Sequence, residues 1–490
     1  MDIQTGLLGL YTLKKRLVSQ SLLESELPLP DGRDVSDTLL CTATVAVTET
    51  EAAAGRVRVA GRVELQLVCR AMSGDTYAFQ AASSFTHTID CEAAEEGMTV
   101  EARAQVLECA AKPDGLRLRL SAILEIVAAV TAPVTTPFIT DITGGAIEIQ
   151  RANVSAKRHT VCGETTVRVR EELPAENIVR ILLESGAAEV SAMRYAGTAT
   201  CEVEGMLHLS ALAEDEAGAF NALSFEVPFT AALDAPYVEQ SWATAEVEQM
   251  ALRAADLSFG VADIDATLRV RVFGVEEQEY AVVLDAYDAA SAIQCERTRV
   301  DRLICSGAAR QVFEGQENVL IPKELPDAAC AVYASCMPVV TGLCDQGGQL
   351  MADVMLLTSV IYRCEEGVLH GFTEDIPVQI LFDTPYAPGA EVSVNMLCCA
   401  ISGSGRTLKL NYTLSGLAVL FSAEPAVFAS EITSGGEPCP HAGVLVYLAD
   451  AGETLWDIGK RFSVPVSALS AWNAGLSEPL AEGQAVVLIK

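Results

Sequence analysis

Residues 56–68 read RVRVAGRVELQLV. Val57, Val59, Gly61, Val63, Leu65 and Leu67 fall on one face of an extended chain; Arg56, Arg58, Ala60, Arg62, Glu64 and Gln66 fall on the other. Alternation with period two sets one face on a core and the other in water, which predicts an antiparallel strand. The pattern returns in CEVEGMLHL (201–209), TLRVRVF (267–273) and TLKLNYTL (407–414).

These strands recur in a fixed order. SSFTHTIDC (83–91), VPFTAALDA (227–235) and IPVQILFDT (376–384) align on Asp90, Asp234 and Asp383, which lie 144 and 149 residues apart. Upstream, Pro30, Pro174 and Pro326 sit in ESELPLPDGRDV, REELPAENIV and PKELPDAACAV, 144 and 152 residues apart. Two landmarks repeating at nearly one interval predict a tandem of three β-rich units of about 145 residues. Each Asp closes an alternating run, where its carboxylate suits a turn by bonding the local backbone; all three are read as structural and not as catalytic acids. GSGR at 403–406 lacks the Lys-Ser/Thr of a phosphate loop and lies between two strands, so it reads as a hairpin turn.

The chain has 490 residues, enough for three to four cores at about 150 residues each. Lys and Arg number 33 against 66 Asp and Glu, a net charge of −33 that favours solubility and repels phosphate backbones. Nucleic acid is therefore not an expected partner. No run reaches the ~18 apolar residues of a membrane helix. The opening MDIQTGLLGLYTLKKRL places its acid first and its basic cluster after the apolar stretch, the reverse of a secretory signal, so a cytosolic location is expected.

The 15 cysteines sit mostly in apolar strand-like runs and form no C-x-x-C, which favours reduced thiols acting as small hydrophobes. Cys439 and His441 come closest to metal-ligand spacing, and two ligands do not make a site. With five His and no HExxH, GxSxG or Walker pattern, neither catalysis nor a cofactor is expected.

The repeated unit, with its P-F/V…D segment and a following G-x-x-V-x-V strand, resembles the SPOCS domain of spore-coat proteins. The likeness spans roughly 61–127, 205–272 and 352–420, and the second copy departs most, having no glycine equivalent to Gly97 or Gly389. It implies a structural role and brings no catalytic residues.

From Val444 the pattern changes. VLVYL and VVLI are short apolar runs suited to pair as the strands of a βααβ unit. Thr454 followed by Asp457 predicts a capped helix start, and Leu455, Ile458 and Phe462 fall on one helical face. Pro465 suits the first turn of a second helix, Leu469 its inner side, and Gly475 a left-handed stop. Gly452, Thr454, Leu455, Trp456, Ile458, Phe462, Val464, Leu469, Asn473, Leu480, Gly483 and Gln484 make this segment similar to a LysM domain. Glu453 stands where that family commonly has Asp. Gly459 replaces a common Ala, at a cost to the helix of about 1 kcal/mol.

The resemblance implies a ligand groove formed by Gly452, Glu453, Thr454, Leu455, Asn473, Ala474, Gly475 and Leu476, suited to N-acetylglucosamine polymers through backbone amides and an apolar floor. Beside that reading, Trp456 reads as filler of a small core and Asn473 as a cap.

The expected division is three SPOCS-like β units at 1–135, 136–284 and 285–428, a Gly- and Pro-bearing linker at 429–443, and a LysM domain at 444–490. This order resembles the SipL-type coat assembly proteins of spore-forming bacteria. It implies a non-enzymatic scaffold on the mother-cell side of the developing spore, whose LysM domain docks on a SpoIVA-like coat morphogenetic ATPase. The alternative is a cell-wall protein that binds peptidoglycan or a chitin-like glycan. Homo-oligomerisation is left open.

Overall fold

The computed structural model describes residues 1–30, 33–114, 117–256, 260–435 and 443–489. The fold is mainly β, as the alternation predicts. The first six strands are β1 (Asp2–Pro28), β2 (Asp37–Ala53), β3 (Arg56–Arg70), β4 (Thr76–Asp90), β5 (Thr99–Asp114) and β6 (Arg117–Thr143). The second six are β7 (Ile147–Pro174), β8 (Ile178–Ala196), β9 (Thr200–Asp215), β10 (Phe220–Asp234), β11 (Ser241–Asp256) and β12 (Val261–Asp288). The third six are β13 (Ile293–Leu320), β14 (Ala328–Gln346), β15 (Gln349–Cys364), β16 (Leu369–Pro385), β17 (Glu391–Ser402) and β18 (Thr407–Ser434).

Each set makes two antiparallel three-stranded sheets with the same connections: β1-β6-β5 with β2-β3-β4, β7-β12-β11 with β8-β9-β10, and β13-β18-β17 with β14-β15-β16. The two sheets of a set face each other across an apolar core fed by the alternating positions. Val57, Val59, Val63, Leu65 and Leu67 of β3 are all buried. Gly61 belongs to that face because the Phe85 ring crosses it; a Cβ there would lie 2.6 Å from the ring and 2.4 Å from the Ala46 carbonyl oxygen. The pair recurs as Gly205 and Phe229, and at the matching place in the third set Val354 stands opposite Val378. In the first two sets a larger residue on one strand is matched by a smaller one across from it, as close packing demands.

The longest strands do two jobs. β5 pairs only with residues 117–131 of β6, so residues 131–143 continue with β1 as a two-stranded ribbon. β7/β12 and β13/β18 extend in the same way. The three ribbons meet in shared apolar clusters: Leu8, Phe138, Val154, Val282 and Phe428 in one, and Ile139, Ile142, Val283, Ala429 and Ile432 in the next. A separate cluster joins the small sheets through Leu39, Leu183, Leu212, Tyr333 and Ile361. A cavity of about 1080 Å³ also lies between the sets. Polar groups lining it bridge the sets: Gln66 Nε2 donates to the Glu184 carbonyl oxygen (2.7 Å), and Gln105 Nε2 to that of Val340 (3.0 Å).

Some landmarks sit differently from the expectation. Pro28 and Pro174 end the first long strands, whereas the third ends at Leu320 and Pro326 lies in the following turn. Pro28, not Pro30, is therefore the counterpart of Pro174, and the connections that follow are residues 29–36, 175–177 and 321–327. Asp90 and Asp234 close β4 and β10 as the alternation predicts, whereas Asp383 lies inside β16, two residues before its end at Pro385. All three are exposed, and their carboxylates take no hydrogen bond from the local backbone, contrary to the turn reading. The 403–406 turn joins β17 and β18, with Gly403 and Gly405 at φ 110° and 81°. The expected unit edges at 135/136, 284/285 and 428/429 fall inside β6, β12 and β18. Cys439, His441 and the rest of residues 436–442 of the expected linker lie outside the described residues, and residues 429–434 of it belong to β18.

Candidate functional site

The C-terminal segment folds as β19 (Val444–Leu448), α1 (Leu455–Phe462), α2 (Val466–Trp472) and β20 (Ala485–Ile489), with β19 and β20 antiparallel. Its core is Leu455, Ile458, Val464, Leu469, Leu480, Val486 and Leu488. The predicted cap is present. Asp457 N donates to Thr454 Oγ1 (3.3 Å) and Thr454 N to Asp457 Oδ2 (2.9 Å), satisfying two amides that a helix start leaves open.

Of the expected groove residues, Gly452, Ala474 and Gly475 are exposed, while Leu455 is buried. Many of the amides are already used. Gly452 N donates to the Leu480 carbonyl oxygen (2.9 Å), Glu453 N to that of Asp450 (3.2 Å) and Leu476 N to that of Asn473 (3.3 Å). Leu455 N donates to the Glu478 carboxylate.

Asn473 is a staple. Its Nδ2 donates to the carbonyl oxygens of Leu469 and Val487, both at 2.8 Å, and its Oδ1 accepts from Val487 N at 2.7 Å. Glu453 accepts from Asp450 N (2.9 Å) and pairs with Arg461 (2.7 Å); the backbone bond first, and the Arg461 charge after it, hold its carboxyl below the usual range. Two of the eight expected ligand contacts, Asn473 and Glu453, thus have side chains spent on holding the rim together.

Trp456 corrects the expectation further. It is absent from the small core and turns instead toward β12. Its Nε1 donates to Asp285 Oδ2 (3.3 Å), and its ring meets that of Tyr287 edge-on, with centroids 5.0 Å apart. Lys460, one turn along α1, places Nζ 2.6 and 2.7 Å from the two Asp285 oxygens. Arg297, from β13, also bonds Asp285, whose side chain is only 1% exposed. Burial pushes the Asp285 carboxyl up, but the Lys460 and Trp456 hydrogen bonds and the Lys460 and Arg297 charges outweigh it and hold the group below its ordinary value.

Tyr287 completes the contact. Its hydroxyl donates to the Val464 carbonyl oxygen at 2.7 Å. A Cβ on Gly459 would stand 2.4 Å from that hydroxyl and 2.8 Å from the Val464 oxygen. The glycine that costs α1 helix propensity is thus what lets β12 approach it.

Sequence reasoning missed Asp285, Tyr287 and Arg297. A signal was available in FITDI (138–142), VVLDA (282–286) and FASEI (428–432), a third repeated landmark that ends each set with an acid after a paired apolar step.

Among the described residues no cluster of His, Cys, Asp and Glu could hold a metal ion, and no helix is long and apolar enough to cross a membrane. Comparison with curated proteins and with solved structures finds no match. The family model described as SipL, SPOCS domain matches residues 34–113, which span β2, β3, β4 and most of β5. The LysM domain model matches residues 450–488, covering α1, α2 and nearly all of β20. The chain therefore joins a SPOCS domain to a C-terminal LysM domain, the SipL-type architecture.

Proposed function

We propose that this protein is a non-enzymatic scaffold of spore-coat assembly, in which three β units carry a LysM domain that docks on a coat morphogenetic protein of the SpoIVA-like ATPase kind. SPOCS and LysM are binding domains, and together they fit a spore-coat-associated protein. The observation that carries the reading is the two-sided use of the LysM domain. The α1 face with Trp456, Gly459 and Lys460 is held on β12, while the rim with Gly452, Ala474 and Gly475 is exposed. One side fixes the domain to the scaffold, and the other is free for a partner on the mother-cell face of the forespore.

The glycan reading draws support from the LysM match itself. Against it stand the occupied groove amides, above all Leu455 N, which Glu478 already bonds. A sugar acetamido group would have to displace that carboxylate, whereas a protein partner can approach the exposed rim without doing so.

The test is recovery from sporulating cells with the full chain and with a version lacking residues 444–490. The coat morphogenetic protein is expected with the first and lost with the second, the β units staying folded. Equal recovery by both would end the docking proposal. Co-sedimentation of the full chain with purified peptidoglycan, reduced by Thr454→Ala, would favour the glycan reading instead.

A further inference from the structure

Two pairs of thiols face each other between sheets. Cys336 Sγ on β14 lies 3.0 Å from Cys399 Sγ on β17, and Cys41 Sγ on β2 lies 3.4 Å from Cys109 Sγ on β5. Cys109 and Cys399 hold the same place in their sets. Each is the second residue after the bulge at Leu107 or Leu397. The second set puts Met250 there, two residues past the bulge at Glu248. No thiol stands opposite it; Glu184 of β8 instead accepts a hydrogen bond from Leu252 N of β11 at 2.7 Å. At this place the first and third sets thus carry a thiol pair between their sheets, where the second carries a hydrogen bond.

We propose that these pairs are redox modification sites that close as Cys336–Cys399 and Cys41–Cys109 disulfides when the protein meets a hydroperoxide. Bonded sulfurs lie about 2.05 Å apart, so closure requires a shift of roughly 1 Å in each pair. Cys336 and Cys399 line the cavity of about 1080 Å³, which admits a small oxidant; Cys41 and Cys109 do not line it and react second. The hydrogen bond from Cys399 lowers the Cys336 thiol, and that from Cys41 lowers Cys109, so each pair has one sulfur readier to ionise.

The chemistry balances. The Cys336 thiolate attacks one peroxide oxygen, the O–O bond breaks, and the departing hydroxide takes a proton to become water. The sulfur, oxidised by two electrons, is now a sulfenic acid. Cys399 attacks that sulfur, the S–O bond breaks, a second water leaves and the S–S bond forms. Two thiols have lost two hydrogens and one hydrogen peroxide has become two waters. The links close loops spanning 63 and 68 residues and staple the sheets of the third and first sets. The second set, which holds the LysM domain, stays unlinked.

The test is hydrogen peroxide titration of the full chain, read by mass spectrometry of unreduced digests. The Cys336–Cys399 peptide link is expected first, the Cys41–Cys109 link later, and a rise in thermal midpoint that dithiothreitol reverses. Cys399→Ser, which is nearly isosteric, should abolish the first link and leave the second; Cys109→Ser should do the converse. The proposal is overturned if Cys336 links to the adjacent Cys398, or if the paired thiols go to sulfinate. It is equally overturned if they stay reduced while the exposed, solitary Cys330 is oxidised.

Discussion

Asp141 and Asp285 begin as the same residue. Each follows a bulge in the last long strand of its set, at Thr140 and at Leu284, and pairs in register with Gln4 and Gln150. Each accepts its own downstream amide, from Ile142 at 2.8 Å and Ala286 at 2.9 Å, and each bonds an Arg of the next set's first strand, Arg151 or Arg297. The third counterpart is Glu431, opposite Glu296. What separates them is coverage. The Asp141 side chain is 36% exposed, whereas α1 lies over Asp285 and leaves it 1%. A repeated structural carboxylate has become a docking post in one set because a cation and an indole arrive from elsewhere in the chain.

The sharpest way to break this comparison is Asp285→Ala. Removing one member of a buried ion pair typically costs about 3–5 kcal/mol, because the other charges remain without a partner. Lys460 and Arg297 are 36% and 46% exposed and regain some water, so a loss nearer about 2–3 kcal/mol is expected. Hydrogen exchange across 455–466 should accelerate by more than tenfold while the β sets keep their protection. Unchanged exchange would mean that α1 is held by something other than this carboxylate.

Gly459→Ala comes next. On propensity alone it should strengthen α1 by about 1 kcal/mol. In the folded chain the new methyl meets the Tyr287 hydroxyl and the Val464 carbonyl, and overpacking of this kind typically costs about 1–3 kcal/mol. A net loss of docking is expected. The penalty should shrink in a Tyr287→Ala background, where only the Val464 contact remains, since neighbours in contact are not additive. An equal penalty in both backgrounds would show that Tyr287 is not what demands the glycine.

These residues mark where the sequence is legible and where it stops. The alternation of 56–68, the threefold repeat and the Thr454–Asp457 cap depend on neighbours in the chain, and each is visible before any coordinates. The groove lining of Asn473 is not decidable that way, because its two carbonyl partners, Leu469 and Val487, are brought together only by tertiary packing. Trp456 fails for a related reason. A helical periodicity separates core-facing from outward residues, but it does not say that β12 waits outside. Asp285 looks like any strand carboxylate until the bulge turns it toward α1.

Acid sets a smaller and more gradual test. The Asp285 carboxyl is held below its ordinary value, so its contribution is complete above the unfolded value of about 3.9 and falls away as pH drops through the lower folded value. Docking should therefore be flat through neutral pH and weaken only below about pH 4. Exchange at 455–466 followed from pH 7 to pH 3 should show that onset in the native chain and lose it in Asp285→Asn. Loss of docking already near pH 6 would point to a histidine instead and remove Asp285 from its role.

The smallest effect is expected from Asp141→Ala, and it decides whether coverage is the true difference. The Arg151 hydrogen bond and the Ile142 amide hold the Asp141 carboxyl below the usual range, as docking partners do at Asp285. Yet both members of the Asp141–Arg151 pair are open to water, which screens their attraction and takes over when one is removed. The variant should melt with the parent protein and leave exchange at 455–466 untouched. If it instead loosened the three-ribbon cluster or the LysM domain as much as Asp285→Ala does, the acid after the bulge would be a requirement of the hub itself. The arrival of α1 would then explain nothing about why Asp285 matters.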